Sequence, residues 1–216
     1  MFSVREVSMK PNELHFNVNE TLKTIRERRS IRAFAKEEIS TEQIDILLHA
    51  ANQAPSAHNQ QAWRFIVLRG EKKHGLADLV AHGALQFPRP SQALLRMSAR
   101  SIASAPVVIA VANTGDLIKH GTDLFKVEKE MAYDFFRTME IQSSAAAVQN
   151  LLLAATSLGL ATVWLGIMFL MKDEVLAYIG EPAGEFMAVV PVGYACREAG
   201  SGPKKQPLEV KVKYLS

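Results

Sequence analysis

The sequence predicts an α+β fold, on three observations. Helical and strand-like hydrophobic patterns are mixed along the chain, with several helices between strands rather than a regular alternation. The run Pro106–Val111 is continuously apolar, as in a strand covered on both faces. No G-x-G-x-x-G opens a helix after a strand, which disfavours a doubly wound dinucleotide-binding sheet.

The elements follow in order. Asn19 is a suitable N-cap for a helix over 20–29 with Leu22 and Ile25 facing inward. The chain then extends through Ser30 to Phe34. Ser40 and Gln43 form a capping box, and Ile44, Leu47, Leu48 and Ala51 recur at helical spacing, so 41–52 is an amphipathic helix. Past Pro55 an irregular loop leads to a strand over 65–68, stopped by Gly70. Helices are expected over 71–83 and 91–102, separated by the break Phe87-Pro88-Arg89-Pro90, and then the strand at 106–111. A loop over 114–121 precedes a helix over 122–142. A central helix over 143–158, a strand over 161–165, a helix over 171–179 with Gly180 at C′, and a strand over 186–194 complete the fold. From Gly200 the tail is expected to be extended.

Composition narrows the function classes. The 216 residues suit one domain with a large core, flanked by an N-terminal extension (1–18) and a C-terminal arm (200–216), with no repeat or separating linker. The formal charge of +3 is too small and dispersed for a nucleic-acid surface, though it favours an anionic ligand. The single cysteine, Cys196, excludes an intrachain disulfide and suits a reducing cytoplasm; it is expected to be structural. Residues 1–10 carry no signal-peptide pattern. Leu151–Met171 is uncharged and long enough to span a bilayer, but Gly159, Gly166 and three hydroxyl residues interrupt it. It reads as a buried helix followed by a buried strand, not as a membrane span. The histidines lack ligand spacing, so no metal site is expected.

Two segments carry the candidate chemistry. Glu27-Arg28-Arg29-Ser30-Ile31-Arg32-Ala33-Phe34 packs three guanidinium groups and a hydroxyl into five positions, a donor set suited to phosphate. The same cations would also suit the C-terminus of the preceding helix. Ala54-Pro55-Ser56-Ala57-His58-Asn59-Gln60-Gln61-Ala62-Trp63-Arg64-Phe65 is a polar loop running into an apolar strand. Its side-chain amides suit a heteroaromatic ring edge, or the loop's own backbone. Together the segments read as a mononucleotide site.

In order, these motifs resemble the FMN-dependent nitroreductase family. The resemblance continues through Gln149–Ala155, Leu158–Gly166, Val190–Tyr194 and Lys204–Glu209, covering roughly residues 20–70 and 143–210. It implies a central mixed sheet wrapped by helices in an intertwined homodimer, with FMN at the interface. Arg28 and Ser30 would hold the FMN phosphate with Arg29 beside them, and Arg32 would reach the pyrimidine end of the flavin. The loop residues Pro55, Ser56, Ala57, Asn59 and Gln61 would cover the flavin of the other subunit. Leu165 and Gly166 would offer backbone N–H groups to the ring. Of Lys204 and Lys205, the latter stands where the family usually has a basic residue near Pro207. His58 is open between a proton donor and a structural histidine. Tyr133, Phe135 and Phe136 are open between a substrate pocket and packing.

The activity implied is a cytoplasmic oxidoreductase in which NAD(P)H reduces the flavin and a nitroaromatic, quinone or similar small-molecule acceptor reoxidises it. No membrane or nucleic-acid partner is implied. The flavin carries the redox chemistry, so no catalytic side chain is expected. Reductive dehalogenation, flavin fragmentation, or a flavin-binding sensor or carrier without turnover are the alternatives.

Overall fold

The fold is described from a computed structural model, which covers residues 19–124, 128–198, 200 and 202–215. The expected N-terminal extension lies outside the described residues. Among the described residues four strands, β1 (Trp63–Leu68), β2 (Val107–Asn113), β3 (Ala161–Thr162) and β4 (Glu185–Gly193), form one sheet in the order β1-β2-β4-β3. All three ladders are antiparallel. Parallel pairing enters only at the edge, among the described residues, through the single bridge between Ser30 and Thr162.

Among the described residues seven α-helices surround the sheet: α1 (Glu20–Glu27), α2 (Thr41–Asn52), α3 (Gly70–Gly83), α4 (Arg89–Ser104), α5 (Asp116–Leu124), α6 (Lys129–Ser157) and α7 (Lys172–Tyr178). Every residue of β2 is buried, as its continuous apolar run predicts. Its side chains alternate between two cores. Val108, Ala110 and Ala112 face α3, α4 and α7. Val107, Ile109 and Val111 face α2 and α6. The capping box on α2 forms as expected: Gln43 N–H donates to Ser40 Oγ (3.1 Å) and Ser40 N–H to Gln43 Oε1 (2.9 Å). Asn19 caps α1 through Oδ1, which accepts from Leu22 N–H (3.0 Å).

Several expectations need correction. Ile25 is 44% exposed and α1 buries no residue, so its apolar positions do not face a core within the chain. Residues 114–121 are not a loop, because α5 begins at Asp116. The two helices expected over 122–142 and 143–158 form one 29-residue helix, α6. Its serines near the expected junction do not break it: Ser143 Oγ bonds back to Met139 O (2.6 Å), and Ser144 Oγ bonds Asn113 Oδ1. The strand expected over 161–165 is a strand only through Thr162, and a 3₁₀ turn over Gly166–Met171 follows. Cys196 is exposed. Helix α6 ends at Ser157 before Gly159, whose φ of +73° suits only glycine well. No described helix is long and apolar enough to cross a membrane.

Two buried ionisable groups fasten the outer helices. Lys73 is 6% exposed, and its Nζ donates to Ala103 O (3.0 Å) and Ala105 O (2.6 Å), tying α3 to the end of α4. Burial lowers its pKa, partly offset by Glu38. Glu140, on α6 and 1% exposed, accepts from Gly115 N–H (3.2 Å) and Leu117 N–H (2.8 Å) at the start of α5. Its carboxylate therefore fills the role of an N-cap from 23 residues away.

Burial holds the Glu140 carboxyl above its ordinary pKa, against the pull of the backbone donors. A raised folded-state pKa gives stability that is complete below the unfolded value of 4.5 and is lost as pH rises through the folded value. Glu140→Gln should therefore gain stability relative to the parent as pH rises above about 4.5. Glu140→Ala should cost about 1–3 kcal/mol by leaving buried N–H donors unmatched. Urea unfolding across a pH series reads both effects.

Candidate functional site

The extended segment after α1 lies on the sheet edge. Ser30 bridges Thr162, and Ile31 N–H donates to Thr162 O (2.9 Å). Phe34 is buried and bridges Ala195. These bonds hold residues 30–34 in the alternating conformation that puts Ser30 and Arg32 on one face.

The three arginines separate. Arg28 is half-buried, and its guanidinium has no hydrogen-bond or ion-pair partner among the described residues. Arg29 turns back: its Nη1 donates to Arg26 O (2.6 Å) and Arg28 O (2.9 Å). It thereby satisfies carbonyls at the end of α1, the structural alternative for this cluster. Its Nε is buried without a partner, and a Cβ on Gly202 would stand 2.8 Å from it, so the tail lies against this guanidinium. Arg32 is exposed, with Nη1 3.4 Å from Ser30 O. Lys204 and Lys205, both exposed, follow Gly202 by two and three residues. At most about 11 Å of extended chain separates them from Gly202, which lies against Arg29.

Leu165 and Gly166 do not play equal parts. Leu165 is buried and its N–H donates to Val189 O (2.9 Å), so the expectation of a free donor there fails. The N–H groups of Gly166 and Ile167, at the start of the 3₁₀ turn, have no partner among the described residues. A Cβ on Gly166 would meet nothing within 4 Å, so the surface above it is open. Gly166 follows Thr162 by four residues, about 13 Å of extended chain.

The loop Pro55–Gln61 lies at the other end of the sheet, before Trp63, which pairs with Asn113. His58, Asn59 and Gln61 all have φ near +50°. Non-glycine residues in this region cost of order 1–3 kcal/mol each and persist where the surroundings dictate them. The dictating bonds are visible. Ser143 Oγ accepts from Ala57 N–H (3.1 Å), Ser56 Oγ accepts from Gln61 N–H (3.1 Å), and Gln61 Nε2 donates to Asn59 Oδ1 (3.0 Å). His58 packs edge-on against His120 of α5 and Phe136 of α6, at 6.3 and 6.4 Å. The loop is thus seated on α5 and α6, and it leads into β1, the edge strand opposite β3. Phe136 is buried in this packing, while Tyr133 and Phe135 are exposed.

Tyr133 lines a cleft of about 760 Å³ that sequence reasoning did not locate. Lys119, Arg137, Glu140, Phe169, Lys172 and Glu185 also line it, from α5, α6, the 3₁₀ turn over Gly166–Met171, α7 and β4. Arg137 and Glu185 form an ion pair within it. One signal was available: Glu140 is the last charged residue before Lys172. No group of residues able to hold a metal ion occurs among the described residues.

Known proteins now bear on this geometry. Residues 25–194 match the model of the Nitroreductase family, and the chain belongs to that family. A protein of Archaeoglobus fulgidus, provisionally named an NADH dehydrogenase/NAD(P)H nitroreductase, is 33% identical over 151 residues, 69% of each chain. The 5,6-dimethylbenzimidazole synthase of Rhodospirillum rubrum is 28% identical over 179 residues, covering 79% of this chain and 80% of the synthase. Among solved structures, a nitroreductase of Desulfitobacterium hafniense with bound FMN superposes with a TM-score of 0.65 at 27% identity, covering 92% of this chain and 99% of that one.

Proposed function

We propose that the protein is an FMN-dependent oxidoreductase that passes two electrons from NAD(P)H to a nitroaromatic, a quinone or a similar conjugated acceptor. The observation that carries this reading is the donor set on one sheet edge. The Arg28 guanidinium and the Ser30 hydroxyl have no partner among the described residues, and the N–H groups of Gly166 and Ile167 open the 3₁₀ turn that follows the edge strand β3. A cation and a hydroxyl suit a terminal monophosphate, and backbone N–H groups suit the acceptor atoms of a ring. The family relative solved with FMN supports the same cofactor.

When bound, FMN supplies the redox chemistry, accepting a hydride equivalent from NAD(P)H and releasing two electrons to the acceptor. The chain's residues bind and orient it. Arg28, Ser30 and Lys205 hold the phosphate, with Lys204 adding to the local positive charge. Arg32, one residue pair further along the strand, faces the pyrimidine end. Gly166 and Ile167 take the role expected of Leu165 and Gly166. Arg29 is assigned to the end of α1 rather than to the cofactor. For a quinone the overall reaction is NAD(P)H + H⁺ + quinone → NAD(P)⁺ + hydroquinone.

A homodimer belongs to this reading. The strained loop at Pro55, Ser56, Ala57, Asn59 and Gln61 is seated away from Arg28 and Ser30 in its own chain, which suits a cover for a second copy's flavin. Helix α1 buries nothing, and Leu208, Val210, Tyr214 and Leu215 of the C-terminal arm are 60–90% exposed. Those apolar surfaces suit burial against a partner.

Five outcomes are expected. Heat-released cofactor should chromatograph as FMN, and FAD alone would refute the reading. Arg28→Ala should weaken FMN binding roughly 10- to 100-fold, as loss of a charge-assisted bond implies, with stability little changed. Arg29→Ala should do the reverse, lowering stability by about 1 kcal/mol with FMN affinity retained; fluorescence titration and urea unfolding separate them. Arg32→Met should lower the midpoint potential of bound FMN while affinity falls less than in Arg28→Ala, read by spectroelectrochemistry. Sedimentation at nanomolar protein should still show a dimer, since obligate interfaces bury about 2,000–5,000 Å².

A further inference from the structure

We propose that Gly202 is a positioning residue for the cofactor phosphate: lacking a side chain, it lets the C-terminal arm lie against the Arg29 guanidinium and so brings Lys205 towards Arg28 and Ser30. This rests on the FMN reading above.

The contact is closer than a side chain would allow. A Cβ on Gly202 would stand 2.8 Å from Arg29 Nε and 3.2 Å from both Cδ and Cζ. Backbone conformation is not the reason for the glycine, because the φ of Gly202 lies outside the left-handed range. Space is the reason. Gly200, two residues earlier in the arm, is the contrast: an added Cβ there would meet nothing within 4 Å among the described residues.

The guanidinium is not free to swing aside. Its Nη1 donates to Arg26 O and Arg28 O, so displacing it gives up two bonds at the end of α1. Its Nε is buried without a partner among the described residues, so fit rather than a hydrogen bond at that nitrogen seats the arm.

Chain direction carries the contact on to Lys205. Pro203 follows Gly202 directly. The proline ring fixes its own φ and disfavours helical geometry in the residue before it. Residues 202–207 form neither helix nor strand. A displacement at Gly202 therefore has little chain in which to be absorbed before Lys205.

Charge gives the arm a reason to lie there. Arg28, Arg29, Arg32, Lys204 and Lys205 form no ion pair with a carboxylate among the described residues, and Glu27 is taken by Arg26. Cations gathered at one strand end repel one another unless an anion joins them. FMN brings such an anion in its terminal phosphate. Riboflavin has the same ring system and no phosphate, so the pair isolates this contact.

The test is fluorescence titration of the flavin-free full chain with FMN and with riboflavin. Gly202→Val should weaken FMN binding roughly fivefold at low salt, as Lys205→Ala does, the loss expected for one exposed ion pair. Riboflavin affinity should hold in both. The double variant Gly202→Val/Lys205→Ala should bind FMN no more weakly than either single one, because both remove the same contact. Adding Arg29→Ala to Gly202→Val should return FMN affinity to that of Arg29→Ala alone, since the clash then has no partner. Gly200→Val stiffens the same arm without a clash and should match the parent. Should Gly202→Val fail to fold in urea titration, Gly202→Ala carries the same comparisons, because its single Cβ already makes the clash. Unchanged FMN affinity, an equal loss for riboflavin, a further loss with Lys205→Ala or no relief by Arg29→Ala would each overturn the proposal and leave the FMN reading standing. A parent that binds FMN no more tightly than riboflavin removes the phosphate assignment and this inference together. A parent that binds neither flavin removes the FMN reading itself.

Discussion

Two-sided burial of the central strands is the constraint on which the rest depends. β2 and β4 pair over seven registered positions, and nearly all of their residues are buried. A sheet so apolar must be covered on both faces. α2 and α6 cover one face; α3, α4, α7 and the turn at Gly166–Met171 cover the other. That second cover fixes the candidate site. Leu165 and Met168 are buried in the core, and Leu165 N–H is bound to Val189. The start of the 3₁₀ turn is therefore rigid beneath Gly166, while the surface above it stays open. Donors held this way need no reorganisation when a ligand arrives.

The sheet edge holds the cationic segment by a different means. Phe34 anchors residues 30–34 in the core, and the bonds to Thr162, Tyr194 and Ala195 keep them extended. Arg29 closes the end of α1 from below. The neighbouring Arg28 and Ser30 are thereby held on rigid backbone, with the guanidinium and the hydroxyl unengaged among the described residues. Adjacent residues of one motif serve opposite purposes, because the backbone direction changes between them. Arg28 has φ −52° and ψ 129°, and this departure from helical geometry sends its neighbour's side chain back over the helix.

At the far end of the sheet, α5 and α6 work as a platform. Glu140 caps α5 from α6, and Gly121 lets the Phe136 ring approach its backbone: an added Cβ would lie 2.4 Å from that ring. Phe136 and His120 then meet His58 of the strained loop. The left-handed conformations at His58, Asn59 and Gln61 are sustained by this platform and by Ser143. A buried carboxylate, a packed ring and the proposed cofactor cover form one connected unit, which also frames the cleft.

The sequence by itself determined most of the skeleton. The capping box on α2, the buried run of β2, the break at Pro88 and the glycine after α6 are local signals, each with a short-range cause. Family membership was legible from ordered motifs, since phosphate-like donor sets and polar loops leave chemical traces in residue type. Tertiary structure decided what depends on contacts between distant residues. α5 is a helix because Glu140 caps it across 23 positions, and α6 runs unbroken because its serines find partners on the turn before them and on Asn113. Leu165 gives up its N–H to Val189, 24 residues away, which shifts the open donors to Gly166 and Ile167. The division of labour among Arg28, Arg29 and Arg32 was likewise beyond the sequence, because identical side chains differ only in where the folded backbone aims them.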